Sequence, residues 1–313
     1  MIQPMKLSII LPLYNEEESL IELQQKLENS LSNFDHEIIY INDGSRDQSE
    51  KILNEIKKKN ANVKVIHFYR NYGQTAAMDA GFKAATGDLL IPMDADLQND
   101  PADIPKLVEK IKEGFDVVSG WRKKRRDNII RVLPSMFANG LIAKVTRLPL
   151  HDLGCSLKAY KKEFLEGVHL YGEMHRFIPV YAFWNGARIG EIEVNHHARS
   201  YGHSKYGFSR IWKVLLDLLT VSFLGNYSSK PIYFFGKIAF GSFCLAILDF
   251  LFVIYRSVFL GGNWISPLIF VGFFFAGLAV QFLFFGILAE IMIRTFYASE
   301  QKMNYRIKPE QKI

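Results

Sequence analysis

The distribution of charged side chains along this chain of 313 residues limits its possible folds more than any other feature. Residues 1–230 mix charged and apolar side chains throughout, whereas 238–255 contain one charge, Asp249, and 264–289 contain none. A helix needs roughly 20 apolar residues to cross about 30 Å of hydrocarbon, so each run is long enough for one span. The sequence therefore predicts a soluble unit followed by two transmembrane helices. Two buried core helices are the alternative, but Phe273–Phe275 and Phe282–Phe285 leave no polar face.

The basic residues around the two apolar runs predict their orientation. Lys230 and Lys237 precede the first run, residues such as Arg294, Lys302, Arg306 and Lys308 follow the second, and the short link 256–263 offers only Arg256. By the positive-inside rule, both termini and the soluble unit face the cytoplasm. The apolar segment Leu7–Leu13 is too short and interrupted for a signal peptide, which agrees with that orientation.

The segment Phe208–Leu224, just before the first apolar run, has apolar residues at helical spacing with charges between them. This pattern predicts an amphipathic helix in the headgroup layer, and a surface helix packed on the soluble unit is the alternative. The predicted divisions are a soluble α/β domain (1–207), amphipathic juxtamembrane helices (208–230), two transmembrane helices (231–296) and a cytoplasmic tail (297–313).

In the soluble unit, short apolar runs alternate with polar stretches of helical spacing. This alternation is typical of a Rossmann-like, mostly parallel, doubly wound sheet, whose ligands bind at the carboxyl ends of the strands. The predicted strands are Lys6–Leu13, Glu37–Asn42, Val63–Phe68, Asp88–Met93 and Asp116–Ser119, and the predicted helices are Glu16–Leu31, Asp47–Lys59, Gln74–Ala85 and Asp103–Lys112.

Four polar clusters follow the first four predicted strands. They are PLYNE at Pro12–Glu16, NDGSRD at Asn42–Asp47, RNYGQ at Arg70–Gln74 and DADLQ at Asp94–Gln98. Each cluster alone is compatible with a turn, a helix entry or a loop of solvated acids. Four such clusters at successive strand ends, on one rim of the sheet, indicate a ligand site.

The residue types in these clusters indicate phosphate and metal chemistry. Two acids separated by one residue point the same way when the backbone is extended, so Asp94 and Asp96 can share one hard cation. Mg²⁺ or Mn²⁺ held by one or two carboxylates usually takes its other ligands from phosphates and water. Asp43 can accept hydrogen bonds from a base or a ribose. Since the glycine-rich loops GxxxxGK[ST] and GxGxxG are both absent from the sequence, a P-loop enzyme or a dehydrogenase is excluded.

The segments LSIILPLYNEE, INDGSRD, RNYGQ and DADLQ together resemble the family 2 glycosyltransferases, which have the GT-A fold. The segments HDLGCSLKAY, HRFIPV and RSYGHSKYGF extend the resemblance to the polyprenyl-phosphate glycosyltransferases, the branch that includes dolichol-phosphate mannose synthase. The two C-terminal apolar runs are similar to the bactoprenol glucosyltransferase subgroup. The resemblance covers nearly the whole chain and implies an enzyme of the bacterial inner membrane.

The resemblance also implies roles for individual residues. Asp94 and Asp96 would hold Mg²⁺ or Mn²⁺, and Asp152, Asp96 and Arg122 would serve catalysis. The residues implied to bind the nucleotide sugar are Pro12, Tyr14, Glu16, Asp43, Gly73, Gln74, Asp94, Ala95, Asp96 and Gln98. The residues implied to bind the acceptor phosphate are Arg122, Arg126, Arg131, Lys158, Arg199, Ser204, Lys205 and Tyr206.

Two positions depart from the family pattern. The pair Asn42-Asp43 stands where relatives usually carry two acids, which puts base contacts by the first position in doubt. Lys158 stands where relatives often carry arginine, so a bidentate contact with phosphate is not expected there.

The reaction that the resemblance implies is the inverting transfer of one glucose from UDP-glucose to undecaprenyl phosphate at the cytoplasmic face. GDP-mannose and modified UDP-pentoses are alternative donors. The segment Glu173–Phe177 lacks the Gln-x-x-Arg-Trp signature of processive synthases, which favours one sugar per acceptor. Alternatives from other classes are a non-catalytic sugar-nucleotide-binding membrane subunit and a lipid flippase component. A homo-oligomer, either a dimer or a tetramer, is expected to form through the helices.

Several remaining features have simpler interpretations. The basic run Arg122–Arg126 suits phosphate or a membrane surface better than nucleic acid, which is not an expected partner. The histidines at 196, 197 and 203 match no zinc spacing, and two cysteines are too few for a disulfide scaffold. Asp249 is interpreted as a packing contact, with a pore, a proton relay, an ion pair with Lys237 or a contact to another subunit as alternatives.

Overall fold

The computed structural model describes residues 5–123, 148, 150–166, 170, 174–197, 220, 223, 227 and 230–300, without the side chains of 294 and 296–300. The chain divides into two compact units, residues 1–218 and 219–313. The finer predicted boundaries at 207, 230 and 296 stay predictions, because the residues around most of them lie outside this part of the chain.

The first unit is built on a sheet of seven strands in the order β3-β2-β1-β4-β6-β5-β7. The strands are β1 (Leu7–Leu13), β2 (His36–Asn42), β3 (Val63–His67), β4 (Leu89–Pro92), β5 (Val117–Trp121), β6 (Lys158–Lys161) and β7 (Ile189–Glu193). The helices of this unit are α1 (Leu20–Leu31), α2 (Ser49–Lys59), α3 (Gln74–Ala84), α4 (Ile104–Lys112) and α5 (Ile178–Trp184), and three short 3₁₀ helices are Pro101–Asp103, Lys162–Phe164 and Met174–Phe177.

The first four strands run parallel, as the sequence predicts, and crossover helices connect them. The sheet is mixed rather than wholly parallel, because β6 pairs antiparallel with both β4 and β5. The sequence pattern does not predict β6 or β7, since β6 is only four residues long and begins and ends with lysine. This short strand places the carboxyl ends of β4 and β5 on the same edge of the sheet.

Helix α1 begins at Leu20, four residues later than the sequence predicts, because polar side chains hold the preceding residues in a loop. The Asn15 backbone N–H donates to Ser45 Oγ (2.9 Å), and the Arg46 N–H donates back to Asn15 Oδ1 (2.8 Å). Asn15 itself has φ +55°, a conformation that asparagine tolerates better than most residues. The loops after β1 and β2 are therefore joined.

Alternating side chains of the central strands fill two apolar layers. Ile9 and Leu11 of β1 pack with α1 and α4 on one face, while Ile10 packs with α3 and α5 on the other. Both faces are covered, which explains why β1 is buried along its whole length.

The second unit contains α6 (Ile232–Phe259) and α7 (Pro267–Glu300). Among the described residues, these two helices are long and apolar enough to cross a membrane, in agreement with the two predicted runs. Small residues lie where they meet: Gly272 of α7 faces Asp249 and Phe250, and Gly286 faces Phe235 and Ile232. A Cβ at position 272 would lie 2.7 Å from Asp249 Oδ2, so the carboxyl group packs into the hairpin.

Candidate active site

Asp94 and Asp96 lie just beyond the carboxyl end of β4, which ends at Pro92. The sequence argument assumed an extended backbone here, but the chain bends at residues 95–97. Within this bend Leu97 adopts φ +60°. A bulky residue in this conformation is uncommon and is found most often at functional sites. Burial raises the pKa of Asp94, and the charge of Asp96 raises it further, so the two carboxylates are close neighbours.

A hydrogen-bond network holds the Asp94 carboxylate from two sides. Gln74, the first residue of α3, donates from Nε2 to Asp94 Oδ1 (2.8 Å). On the other side, Ser156 bonds to Asp94 and accepts a hydrogen bond from Asn99 Nδ2 (2.7 Å). Ser156 and Asn99 are not predicted from the sequence, although Ser156 ends the HDLGCS segment and Asn99 directly follows DADLQ.

The two other predicted catalytic side chains, Arg122 and Asp152, form an ion pair with each other. Arg122 lies directly after β5, and its Nε and Nη2 donate to Asp152 Oδ2 (2.7 Å) and Oδ1 (3.0 Å). Burial alone would lower the pKa of Arg122, but Asp152 outweighs it and raises the pKa above its ordinary value. Both hydrogen bonds use one edge of the guanidinium, which leaves Nη1 on the opposite edge.

Glu191 of β7 fixes the start of the loop that carries Asp152. Its carboxylate accepts the backbone N–H groups of His151 and Asp152, both at 3.1 Å, and bonds to His151 Nδ1 at 2.7 Å. The His151 ring stacks on Trp121, with 4.5 Å between ring centroids. The sequence does not predict Glu191 as part of the site, because β7 is not predicted and its register with β5 is a tertiary property.

Lys158, a predicted acceptor-phosphate residue, is buried at the start of β6 with 4% of its surface exposed. Its ammonium donates to the backbone carbonyls of Leu153, at 3.1 Å, and Cys155. Burial lowers the pKa of Lys158, whereas the charges of Asp152 and Asp94 favour its cationic form. In this structure Lys158 therefore contacts the loop between Asp152 and Ser156.

Asp43, predicted to bind the nucleotide, joins the loops after β2 and β3. Its carboxylate accepts the backbone N–H groups of Tyr72 (2.7 Å) and Gly73 (2.9 Å). Burial raises the pKa of Asp43, and these two N–H groups oppose the shift. Gly44 has φ +66°, and a Cβ there would lie 2.4 Å from the carbonyl carbon of Arg70, so only glycine fits this contact.

The remaining predicted nucleotide residues lie along the same edge of the sheet. Pro12 is buried within β1, Ala95 is buried beside the two acids, and Tyr14 and Glu16 are half-buried in the following loop. Gln98 donates its backbone N–H to Asp96 Oδ1 (3.2 Å). Asn42 is buried, and its Oδ1 accepts the Ser45 N–H (2.9 Å). The structure thus gathers these residues at one rim, as expected for ends of parallel strands.

Six predicted acceptor-side residues lie outside the described residues, and their roles stay predictions. They are Arg126, Arg131, Arg199, Ser204, Lys205 and Tyr206. The amphipathic segment 208–230 and the tail 297–313 lie mostly outside the described residues as well.

The two acids fit a divalent cation. Asp94 and Asp96 are like charges held together in a partly buried place, which a cation would stabilise. Within the described residues, no group of three or more histidine, cysteine or acidic side chains forms a metal cluster. Two carboxylates would leave the remaining positions of a hard cation for phosphate oxygens and water.

The fold and the site together define an α/β domain with charged and polar side chains gathered at the carboxyl edge of its sheet, and comparison with known sequences gives the family. The profile of glycosyl transferase family 2 matches residues 8–168. The chain belongs to this family, which confirms the resemblance drawn from PLYNE, NDGSRD and DADLQ.

Two curated relatives match almost the whole chain. Dodecaprenyl-phosphate galacturonate synthase of Rhizobium johnstonii is 40% identical, over 98% of this chain and 93% of that protein. Undecaprenyl-phosphate 4-deoxy-4-formamido-L-arabinose transferase of Klebsiella pneumoniae is 36% identical, over 97% of this chain and 93% of that protein. Both are named for a polyprenyl phosphate, and they are named for different sugars.

Solved structures show the fold. Glucosyl-3-phosphoglycerate synthase of Mycobacterium tuberculosis, in a complex with Mn²⁺, UDP and phosphoglyceric acid, superposes with a TM-score of 0.54. That match has 16% identity and covers 71% of this chain and 78% of the other. A second crystal structure of that enzyme, with UDP, has a TM-score of 0.52 at 18% identity, over 70% and 80% of the two chains. The first unit therefore has the GT-A fold, as the sequence predicts.

Proposed function

We propose that the protein transfers a single sugar from a nucleoside-diphosphate donor to the phosphate of a polyprenyl phosphate, with inversion at the anomeric carbon. The observation that carries this proposal is the arrangement of four charged groups on one rim: the Asp94–Asp96 pair beside the Arg122–Asp152 ion pair. The first pair suits a metal-bound diphosphate, and the second offers a fixed cation for another phosphate. Two relatives that cover nearly the whole chain and are named for polyprenyl phosphates support the acceptor class.

The donor side of the proposed site is formed by the loops after β1, β2, β3 and β4. Asp94 and Asp96 would hold Mg²⁺ or Mn²⁺, which, when bound, stabilises the charge of the departing nucleoside diphosphate. Gln74 and Ser156 fix the Asp94 carboxylate from two sides, so its orientation is set before the donor arrives. The loops joined by Asp43 form the proposed nucleoside side of the pocket.

The acceptor needs little activation. A phosphate monoester has a second pKa of about 6, so at pH 7 it is largely a dianion and already a nucleophile. One of its oxygens forms a bond to the anomeric carbon while the bond from that carbon to the diphosphate breaks, and the nucleoside diphosphate leaves with the electron pair. No proton has to be removed, and we therefore assign Asp152 to holding Arg122 rather than to base catalysis.

The electrostatic problem is the approach of two anions. Two unit charges at 4 Å repel by about 4 kcal/mol at an effective dielectric of 20. Arg122, held by Asp152 through one edge, keeps Nη1 for a second anion. The predicted cations Arg126, Arg131, Arg199 and Lys205, with Ser204 and Tyr206, are proposed to complete the acceptor side.

For the sugar, we propose a modified donor ahead of glucose. UDP-glucose is the expectation from the bactoprenol resemblance, but the two relatives are named for galacturonate and for a formamido-arabinose. A donor panel that contains a UDP-uronate, a UDP-4-formamido-pentose, UDP-glucose and GDP-mannose decides among them. The predicted inner-membrane location, cytoplasmic orientation and homo-oligomer belong to the same proposal.

The test is sugar transfer by the purified full-length protein. Radiolabelled donors are incubated with undecaprenyl phosphate in detergent, with Mn²⁺ or with EDTA, and the lipid product is extracted. We expect at least one donor to label the lipid, with EDTA or Asp96→Asn lowering the rate by about 1,000-fold. Asp35→Asn is the matched control, because Asp35 is exposed at the opposite edge of the sheet.

Two results would contradict the proposal. If Asp96→Asn transfers sugar at the wild-type rate, the proposed metal site plays no part in the reaction. If the product retains the donor's anomeric configuration, a single displacement is excluded. Absence of transfer with every donor, together with donor-independent movement of the lipid across liposomes, would favour the flippase alternative. Binding of a donor without transfer would favour the non-catalytic subunit.

A further inference from the structure

Lys158 is a buried cation that the proposed reaction does not use. Its side chain is 4% exposed, and its ammonium donates to the main-chain carbonyls of Leu153 and Cys155. A buried ammonium is costly unless hydrogen bonds and opposite charges compensate it. The negative charges near Lys158 are those of Asp152 and Asp94, the acids of the two pairs at the rim.

The two carbonyls belong to the loop that connects those pairs. At one end of this loop Asp152 binds Arg122, and at the other Ser156 bonds to Asp94. Directly after Ser156, the Leu157 carbonyl accepts the Gly120 N–H (3.0 Å), and within the loop Cys155 Sγ lies 3.0 Å from where a Cβ on Gly120 would be. The loop therefore lies directly on β5, with Lys158 bonded to its main chain.

We infer that Lys158 is a positioning residue: it holds the loop 152–156 so that Asp152 meets Arg122 and Ser156 meets Asp94. This inference rests on the proposed function, and it replaces the expected contact between Lys158 and the acceptor phosphate. A phosphate could reach the ammonium only by displacing two carbonyls from a buried site. The conformation of one loop thus sets the geometry of both the donor and the acceptor groups.

The kinetic test compares Lys158→Met and Lys158→Arg with the wild type. We expect Lys158→Met to lower kcat by about 20-fold or more while the KM for the acceptor stays within about twofold, because the lost group does not touch the acceptor. Arginine can still donate to both carbonyls, so Lys158→Arg should recover most of kcat. Lys162→Met is the matched control, since Lys162 also donates to a carbonyl, that of Ala85 (2.8 Å), but away from the rim.

A second readout needs no substrate. Cys155 lies in the same loop and is fully buried, and the chain has two cysteines in all, so Cys244→Ser leaves Cys155 as the sole thiol. In that background, Lys158→Met should raise the labelling rate of Cys155 by a maleimide about tenfold or more, because the loop opens more often. Lys162→Met should leave the labelling rate unchanged.

The outcomes separate the inference from the proposed function. If Lys158→Met raises the acceptor KM while Cys155 stays protected from labelling, Lys158 is a phosphate ligand and the inference is overturned. The inference is also overturned if Lys158→Met changes neither kcat nor the labelling rate of Cys155. If Lys158→Met does not fold, Lys158→Arg decides: a moderate loss of kcat at constant acceptor KM supports the inference, and a raised acceptor KM at constant kcat overturns it. Failure of the proposed function would instead appear as no transfer by the wild type, while the labelling result would still stand.

Discussion

Two clusters with buried carboxylates lie at opposite edges of the same sheet. At the amino edge, Glu37 of β2 accepts hydrogen bonds from the Ser8 hydroxyl and the Thr86 N–H, both at 2.6 Å, and pairs with Lys64 at 2.7 Å. At the carboxyl edge, Asp94 lies beside Asp96, a second acid. One carboxylate is surrounded by donors, and the other has a like charge as its neighbour.

The pKa values of the two clusters shift in opposite directions. Burial alone would raise the pKa of Glu37, but Lys64, Ser8 and Thr86 outweigh it and lower the pKa from 4.5 to about 2. Burial and Asp96 raise the pKa of Asp94. A lowered carboxylate pKa means that the folded state favours the charge, so Glu37 stabilises the fold. The raised pKa means that the ionised Asp94 costs stability, which is expected of a site arranged for a ligand.

The largest effect on activity is expected for Asp96→Asn at the carboxyl edge. Loss of one of the two proposed metal-binding carboxylates should lower kcat by about 1,000-fold, because the leaving diphosphate would lose its counter-ion. The same change removes a like-charge contact, so Tm should stay constant or rise. Sugar transfer and thermal unfolding are measured on one preparation. A clear decrease in Tm would show that Asp96 serves the fold, as Glu37 does.

Disruption of the Arg122–Asp152 pair should have the next largest effect. Arg122→Lys loses the two-bond geometry and should lower kcat by about 100-fold. Removing one partner leaves a buried charge unpaired, so Asp152→Ala should also lower the free energy of unfolding by about 3 kcal/mol. A double-mutant cycle with Arg122→Met and Asp152→Ala measures the coupling between the two residues. Additive losses would contradict the pairing.

Gly44→Ala should have a moderate effect that is limited to the donor. The Cβ of the new alanine would lie 2.4 Å from the carbonyl carbon of Arg70, so the loops after β2 and β3 must separate. We expect the KM for the donor to rise by about tenfold with the acceptor KM unchanged, since the expected strain is on the order of 1–3 kcal/mol. Gly186→Ala is the control: Gly186 also has a positive φ, but nothing lies within 4 Å of its Cβ position. Equal effects of both changes would indicate general strain only.

The smallest effect on activity, and a clear effect on stability, is expected for Glu37→Gln at the amino edge. Activity per folded molecule should stay within about twofold, while the unfolding free energy at pH 7 should fall by about 2 kcal/mol. Because the folded pKa lies below the unfolded one, the contribution of Glu37 is complete above pH 4.5 and is lost as the pH falls toward 2. The difference between wild type and variant should therefore shrink below pH 4.5 in urea titrations.

Glu22→Gln is the matched control for that measurement. Glu22 pairs with Lys26 on the exposed side of α1, where solvent screens the interaction. We expect Glu22→Gln to cause no measurable change in the free energy of unfolding, either at pH 7 or below pH 4.5. A pH dependence equal to that of Glu37→Gln would show that total charge, rather than the cluster at the amino edge, governs acid sensitivity.

Local sequence patterns predict much of the first half of this fold. Strands β1 to β4 and helices α2 to α4 lie within two residues of their predicted ends, because hydrophobic periodicity and turn residues act over a few neighbouring positions. The start of α1 is the exception, since side chains from the loop after β2 hold residues 15–17 out of the helix. The candidate residues after these strands were predictable for the same reason: parallel strands place their carboxyl ends on one edge.

The amino-acid sequence by itself determined the family, the two long apolar helices and the identity of the acids after β4. Only the tertiary structure decided the partners of the buried charged side chains: Arg122 with Asp152, 30 residues apart, and Glu37 with Ser8 and Thr86, 29 and 49 residues apart. The physical reason is the separation along the chain between the residues that interact. Periodicity and motifs record interactions between near neighbours, whereas the partner of a buried charge depends on strand order and register, which place distant residues side by side.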